Sequence, residues 1–111
     1  MKVIDEPAEV FELTCSQEDG HASVVARGEL DATTTHRLRH LLSELLRQPL
    51  TRISIDLSAV TFMDSAGLGA LVANHGAAER VGIELRVIAC SSPVARVMEI
   101  TGATQRLMAS E

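Results

Sequence analysis

The residues of this sequence best suited to do chemistry lie together in Asp64-Ser65-Ala66-Gly67-Leu68-Gly69. Apolar residues alternate before this segment and recur at helical spacing after it, which places Ser65 on a strand-to-helix turn. Ligands bind at such turns in α/β sheets. A hydroxyl there faces the free backbone N–H groups of a helix N-terminus, a setting that favours a phosphate. Phosphorylation would add about 1.5–2 negative charges at the turn, enough to repel a docked acidic partner or alter a close contact. Gly67 and Gly69 carry no side chain, so a partner's backbone has room to approach. The plainer reading of the same residues is a capped helix with glycines for packing.

Other chemistries fit less well. A serine hydrolase needs a Gly-x-Ser-x-Gly elbow, and Met63 stands where the first glycine would be; a bulky side chain crowds that strained turn. His36, His40 and His75 are candidate bases, but no spacing singles one out. His36 and His40 stand four apart on one helix, yet two ligands do not make a zinc site and no third is marked. His75 ends an apolar stripe and reads as a satisfied, partly buried histidine. Gly67-x-Gly69 lacks the third glycine of a dinucleotide loop, and no Gly-Lys-Ser/Thr is present. The sequence thus calls for no catalytic residue, no metal and no cofactor.

The elements that must position Ser65 follow from periodicity. Residues 1–9 are polar and acidic and read as a loose leader, with the domain spanning 10–111. From Val10, Phe11, Leu13 and Cys15 alternate with Glu12, Thr14 and Ser16, a half-buried strand. Asp19-Gly20 is a turn signal, and the apolar run from Ala22 to Ala26 completes a hairpin. Gly28-Glu29-Leu30-Asp31 ends the second strand. Asp31 or a threonine at 33–35 caps a helix with a Leu38, Leu41, Leu42, Leu45 and Leu46 stripe, stopped by Pro49. Ile53, Ile55 and Leu57 form a short third strand, and a turn leads from it to Phe62-Met63. The second helix starts near Ser65, presents Leu68, Leu71, Val72 and His75, and closes at Gly82. Residues 83–89 are apolar enough for an interior fourth strand. Ser92-Pro93 opens a third helix with Val94, Val97, Met98 and Thr101 on one face, ended by Gly102. Residues 104–108 read as a short strand or a frayed tail. The expected fold is α/β: one domain, a mixed sheet of four to five strands with an N-terminal hairpin, and three helices.

Composition narrows the partner. The chain has 111 residues, enough for one domain, and a net charge of −5 from 15 acidic and 10 basic residues. Nucleic-acid binding depends on basic patches and aromatic platforms, and this sequence has no Trp, no Tyr and two Phe. Nucleic acid is therefore excluded as the expected ligand, and membrane insertion with it, since no apolar run approaches the ~20 residues a spanning helix needs. Cys15 and Cys90 have no short spacing, and no apolar export signal opens the chain, so both read as reduced packing residues in a cytoplasmic protein.

Three segments together carry a family resemblance. Phe62-Met63-Asp64-Ser65-Ala66-Gly67-Leu68-Gly69, Gly28-Glu29-Leu30-Asp31, and Ser92-Pro93-Val94 through Ile100-Thr101-Gly102 resemble, in order and spacing, the markers of STAS domains of the anti-sigma-factor-antagonist kind. The resemblance implies a partner switch. An anti-sigma factor with serine kinase activity holds a sigma factor; the unphosphorylated antagonist binds it and frees the sigma factor. Phosphorylation of the serine after the aspartate, here Ser65, ends binding, and a serine phosphatase restores it. The implied contact surface comprises Glu29, Leu30, Asp31, Ala32, Thr33, Phe62, Met63, Asp64, Ala66, Gly67 and Leu68. Ala66 departs from the pattern, which often has Ser or Thr there, and the sequence stops soon after the third helix where many relatives continue. The same family also includes constitutive subunits of lipid-transporting ABC complexes and stressosome-type scaffolds, in which Ser65 would serve no switch.

Overall fold

The computed structural model describes residues 11–108; the expected leader and the strand start at Val10 lie outside them. The hairpin forms as the sequence implies. Strand β1 (Phe11–Glu18) pairs antiparallel with β2 (His21–Leu30) across Asp19-Gly20. Both turn residues have positive φ, 52° and 79°. That backbone twist matches the twist of the flanking strands, and Asp-Gly suits it because both residues tolerate φ > 0.

Helix α1 (Thr35–Leu45) leads to β3 (Arg52–Met63), α2 (Ser65–Arg80) to β4 (Glu84–Cys90), then α3 (Ser92–Thr101) and α4 (Thr104–Leu107). The sheet order is β1-β2-β3-β4, with β3 parallel to both neighbours. Phe11, Ala22, Val24, Ile53, Ile55, Leu57, Leu85 and Val87 from the strands join Leu38, Leu42, Leu71, Val94 and Met98 from the helices in one buried core. The strand residues between them are mostly polar. This period-two division fixes the register, because a one-residue slip would expose the whole apolar set.

Four sequence expectations are corrected. Strand β3 is not short: it runs twelve residues to Met63 without the expected turn, because Val60 and Met63 are buried and keep pairing with β2. Strand β4 lies at the sheet edge and not inside it. Only Leu85 and Val87 are buried, while Glu84 and Ile88 are exposed, so the run is apolar on one face. Residues 104–107 form a fourth, short helix instead of a strand or tail, and Met108 touches Val87 as an isolated bridge. Its buried Leu107 explains the order: the turn is docked on the core. Finally, the N-cap of α3 is Ser91, not Ser92; its hydroxyl donates to the Val60 carbonyl and ties α3 to β3.

His75 is more deeply placed than its sequence position suggests. It is 4% exposed, and its Nε2 lies 2.9 Å from Nη1 of Arg86. A guanidinium only donates, so Nε2 accepts and Nδ1 carries the proton. Nδ1 itself is buried without a partner among the described residues. Burial holds the His75 pKa below the ordinary histidine value, with Glu79 opposing and Arg86 and Arg106 reinforcing. The unfolded chain therefore takes up this proton first as pH falls. Stability from a neutral His75 is complete above pH about 6.5 and is lost progressively below it. Urea unfolding on either side of that pH should show a lower midpoint in acid, and His75→Gln should shrink the difference.

Candidate functional site

The register of β2 and β3 brings two turns side by side. Glu29 faces Phe62 and Leu30 faces Met63 across the parallel pair, so the chain leaves both strands at the same sheet end. The Asp64 N–H donates to the Leu30 carbonyl at 3.3 Å and fixes the second turn to the first.

Each turn is organised by one aspartate. Asp31 Oδ1 accepts from the Thr33 hydroxyl and N–H at 2.8 and 2.9 Å and from the Thr34 N–H at 3.2 Å. The Thr33 hydroxyl, then the Thr33 and Thr34 amides, hold its carboxyl below the usual aspartate pKa. The Thr34 hydroxyl donates to the Glu29 carbonyl at 2.7 Å, closing the turn onto the strand. Asp64 is the N-cap of α2: its Oδ1 accepts from the Ala66 and Gly67 N–H groups at 3.0 and 3.1 Å. Such caps are typically worth about 1 kcal/mol.

Ser65 opens α2, is exposed, and its hydroxyl makes no hydrogen bond among the described residues. The N–H groups of Ala66 and Gly67, which a phosphate would otherwise find free, are already taken by Asp64. A phosphoryl group on Ser65 would thus sit beside a carboxylate, and its charge would face outward. No histidine is hydrogen-bonded to Ser65; among the described residues, the bonded histidines are His21, to Ser54, and His75, to Arg86. No group of three metal-ligating side chains occurs among the described residues either.

The residues named from sequence fall into two layers. Glu29, Ala32, Thr33, Phe62 and Ala66 are exposed around Ser65, and Asp31 and Asp64 are half-buried beside it. Phe62 is 49% exposed and is the large apolar side chain of this rim. Leu30, Met63, Gly67 and Leu68 are buried beneath. They shape the surface from below and offer little area to a partner. Gly67 in particular serves internal packing: a Cβ there would stand 2.9 Å from the Leu30 carbonyl oxygen. Gly69 is the open one, with nothing within 4 Å of its would-be Cβ.

Sequence reading missed a groove of about 340 Å³ running from Ser65's neighbour along α1 and α2. Ala66, Gly69, Ala70 and Ala73 form its α2 side. Ala32, Thr35, His36 and Arg39 form the other. The signal was present in the small residues at i, i+3, i+4 and i+7 of α2, a spacing that lines one helix face. His36 therefore lines this groove.

Comparison with known proteins agrees with this fold. The STAS domain family matches residues 13–108. An anti-sigma-B factor antagonist of Staphylococcus aureus is 33% identical over 85 residues, 77% of this chain and 79% of that protein. The crystal structure of an anti-sigma factor antagonist from Mycobacterium paratuberculosis superposes with a TM-score of 0.78 at 26% identity, covering 94% of this chain and 87% of the other. The Bacillus cell fate determinant SpoIIAA in its phosphorylated form shares the fold, with a TM-score of 0.69 at 22% identity over 89% and 92% of the two chains.

Proposed function

This chain belongs to the STAS-domain family, and from that premise we propose that it is an anti-sigma factor antagonist switched by phosphorylation of Ser65. The observation that carries this reading is the state of Ser65: an exposed, unbonded hydroxyl beside two turns hydrogen-bonded by Asp64 and Asp31. A phosphoacceptor needs a kinase to reach its oxygen, and a switch needs the added charge to fall on a contact surface rather than inside the fold. The exposure of Ser65 supports both.

Unphosphorylated, the chain docks on an anti-sigma factor with serine kinase activity through the rim of Glu29, Ala32, Thr33, Phe62 and Ala66, and the sigma factor is released. The partner acts as kinase; this chain is its substrate and not an enzyme. A serine phosphatase returns the system to its starting state. With Phe62 as the main exposed apolar side chain and no Trp or Tyr available, affinity should be modest and reversible. The relative from Staphylococcus aureus, by its name, supports the antagonist role, and the phosphorylated SpoIIAA structure supports a fold that tolerates the modification. The exchange would take place in the cytoplasm. Among the described residues no helix is long and apolar enough to cross a membrane.

The test is reconstitution. Added to a purified complex of the host's anti-sigma and sigma factors, the wild-type chain should release free sigma factor on gel filtration. Enzymatically phosphorylated chain should not. An intact complex in the presence of excess unphosphorylated chain would sink the antagonist reading.

A further inference from the structure

We propose that the junction of α2, β4 and α4 is an acid-operated latch. A proton taken up by His75 releases the α4 turn and Met108 from the edge of β4, and the rest of the sheet stays folded. The His75 ring is buried, and Nη1 of Arg86 on β4 lies 2.9 Å from its Nε2. The same Nη1 donates to the Leu85 carbonyl at 3.0 Å, which anchors the guanidinium to the strand. Protonation turns Nε2 from an acceptor into a donor. Two cationic donors then meet at hydrogen-bond distance, while the N–H at Nδ1 has no acceptor among the described residues. A buried charge with neither N–H accepted is costly, so the contact must open.

The surroundings compensate little. The charged groups acting on His75 are Glu79 of its own helix, Arg86 of β4 and Arg106 of α4. Two cations thus face the ring against one acid, and Glu79 is exposed, where water screens it. Glu84 of β4 is engaged by two arginines, 3.5 Å from Arg52 and 3.9 Å from Arg86.

The α4 turn is the member that yields. It has four residues against sixteen in α2. Its Thr104 Oγ1 is already buried without a partner among the described residues, a feature that weakens its seat. Buried Leu107 holds it down, and Met108 reaches β4 through one isolated bridge to Val87. Elements with so few anchors open at free energies below that of the whole fold. Release uncovers the outer side of β4, an edge strand, for pairing with another strand.

Hydrogen exchange of the full chain, read by NMR at pH 7.5 and 5.5 and corrected for intrinsic rates, tests this. The reporters are the Leu107 and Met108 amides, which donate to the Ala103 and Thr104 carbonyls at 3.1 and 2.9 Å. They should exchange faster than amides 22–26 of β2 and respond little to dilute urea, because local opening exposes little surface. Once released, His75 titrates near the ordinary value of about 6.5, so one proton raises the opening about tenfold between the two pH values. His75→Gln should abolish that rise, and Arg86→Gln, which removes one of the two cations, should shrink it. Should the variants fail to fold, the wild type decides, since its opening must follow a single proton as pH falls. Unchanged protection at 107 and 108 in acid, or an equal rise in His75→Gln, would overturn the latch. So would exchange at 107 and 108 in step with β2 in rate and urea dependence, which would make the acid effect global. A His75 ring charged by its 15N shifts while 107 and 108 stay protected would overturn it as well.

Discussion

Ser65→Asp is expected to bind the anti-sigma factor at least tenfold more weakly than wild type while folding as well. The weakening follows from where the charge goes. Ser65 is exposed and unbonded, and the adjacent α2 amides of Ala66 and Gly67 already donate to Asp64. The new carboxylate therefore finds those two amides already occupied. The new charge projects from the rim formed by Glu29, Thr33, Phe62 and Ala66. Like-charge juxtaposition across an interface costs on the order of several kcal/mol, and about 1.4 kcal/mol is tenfold in affinity. Folding should be nearly untouched. An acidic side chain in the first helical turn gains about 0.3–1 kcal/mol from the helix dipole, which offsets repulsion from Asp64. Calorimetric titration beside thermal melts separates the two effects. Ser65→Ala, which adds no charge, should bind as wild type. Equal affinity for Ser65→Asp would mean that Ser65 lies off the contact surface.

Two glycines of one helix should respond to alanine in opposite directions. Gly67→Ala would put a Cβ 2.9 Å from the Leu30 carbonyl oxygen and 3.0 Å from Cγ of both Leu30 and Met63. The obstructing oxygen is backbone at the end of a core strand, so it cannot swing aside as a side-chain tip would. Overpacking of this kind costs about 1–3 kcal/mol, more than the roughly 0.8–1 kcal/mol that alanine gains over glycine in a helix. Gly69→Ala meets nothing within 4 Å and should keep the propensity gain, stabilising the protein by up to about 1 kcal/mol. Urea unfolding of the two variants should place Gly67→Ala below wild type and Gly69→Ala above it. The reverse order would mean that α2 does not pack on the β2 end as described. Because α2 carries Ser65, Gly67→Ala should also displace the serine and weaken partner binding through position alone.

The residues that disclosed themselves in the sequence did so through local rules. Asp19-Gly20 between alternating strands allows little but a tight hairpin, and Asp64 before a helical stripe reads as a cap. The pairing of the two aspartate turns was legible only through the family resemblance, since the parallel register that sets Leu30 against Met63 is a long-range contact. Strand β3 was read too short because Ser58 and Thr61 interrupt its apolar pattern, while the burial of Val60 and Met63 was invisible. Strand β4 looked interior because Ile88 and Ala89 add apolar character to a face that tertiary packing leaves outside. The role of Gly67 could not be separated from that of Gly69 in sequence; one is pressed against β2 and the other is open, a difference set by which side of α2 meets the sheet. The groove was missed for the same reason, since Arg39 and Gly69 are thirty residues apart and share a wall only once α1 and α2 pack together.

The most direct test of the central claim is to incubate the unphosphorylated chain with the host's anti-sigma factor and ATP, then locate any phosphate by fragment mass spectrometry. The account predicts one phosphate, on Ser65, absent from Ser65→Ala and removed by the cognate serine phosphatase. Phosphate at another residue, or equal labelling of Ser65→Ala, would contradict it. A chain that binds the kinase yet never acquires phosphate would contradict it too, and would mark a constitutive STAS subunit in place of a switch.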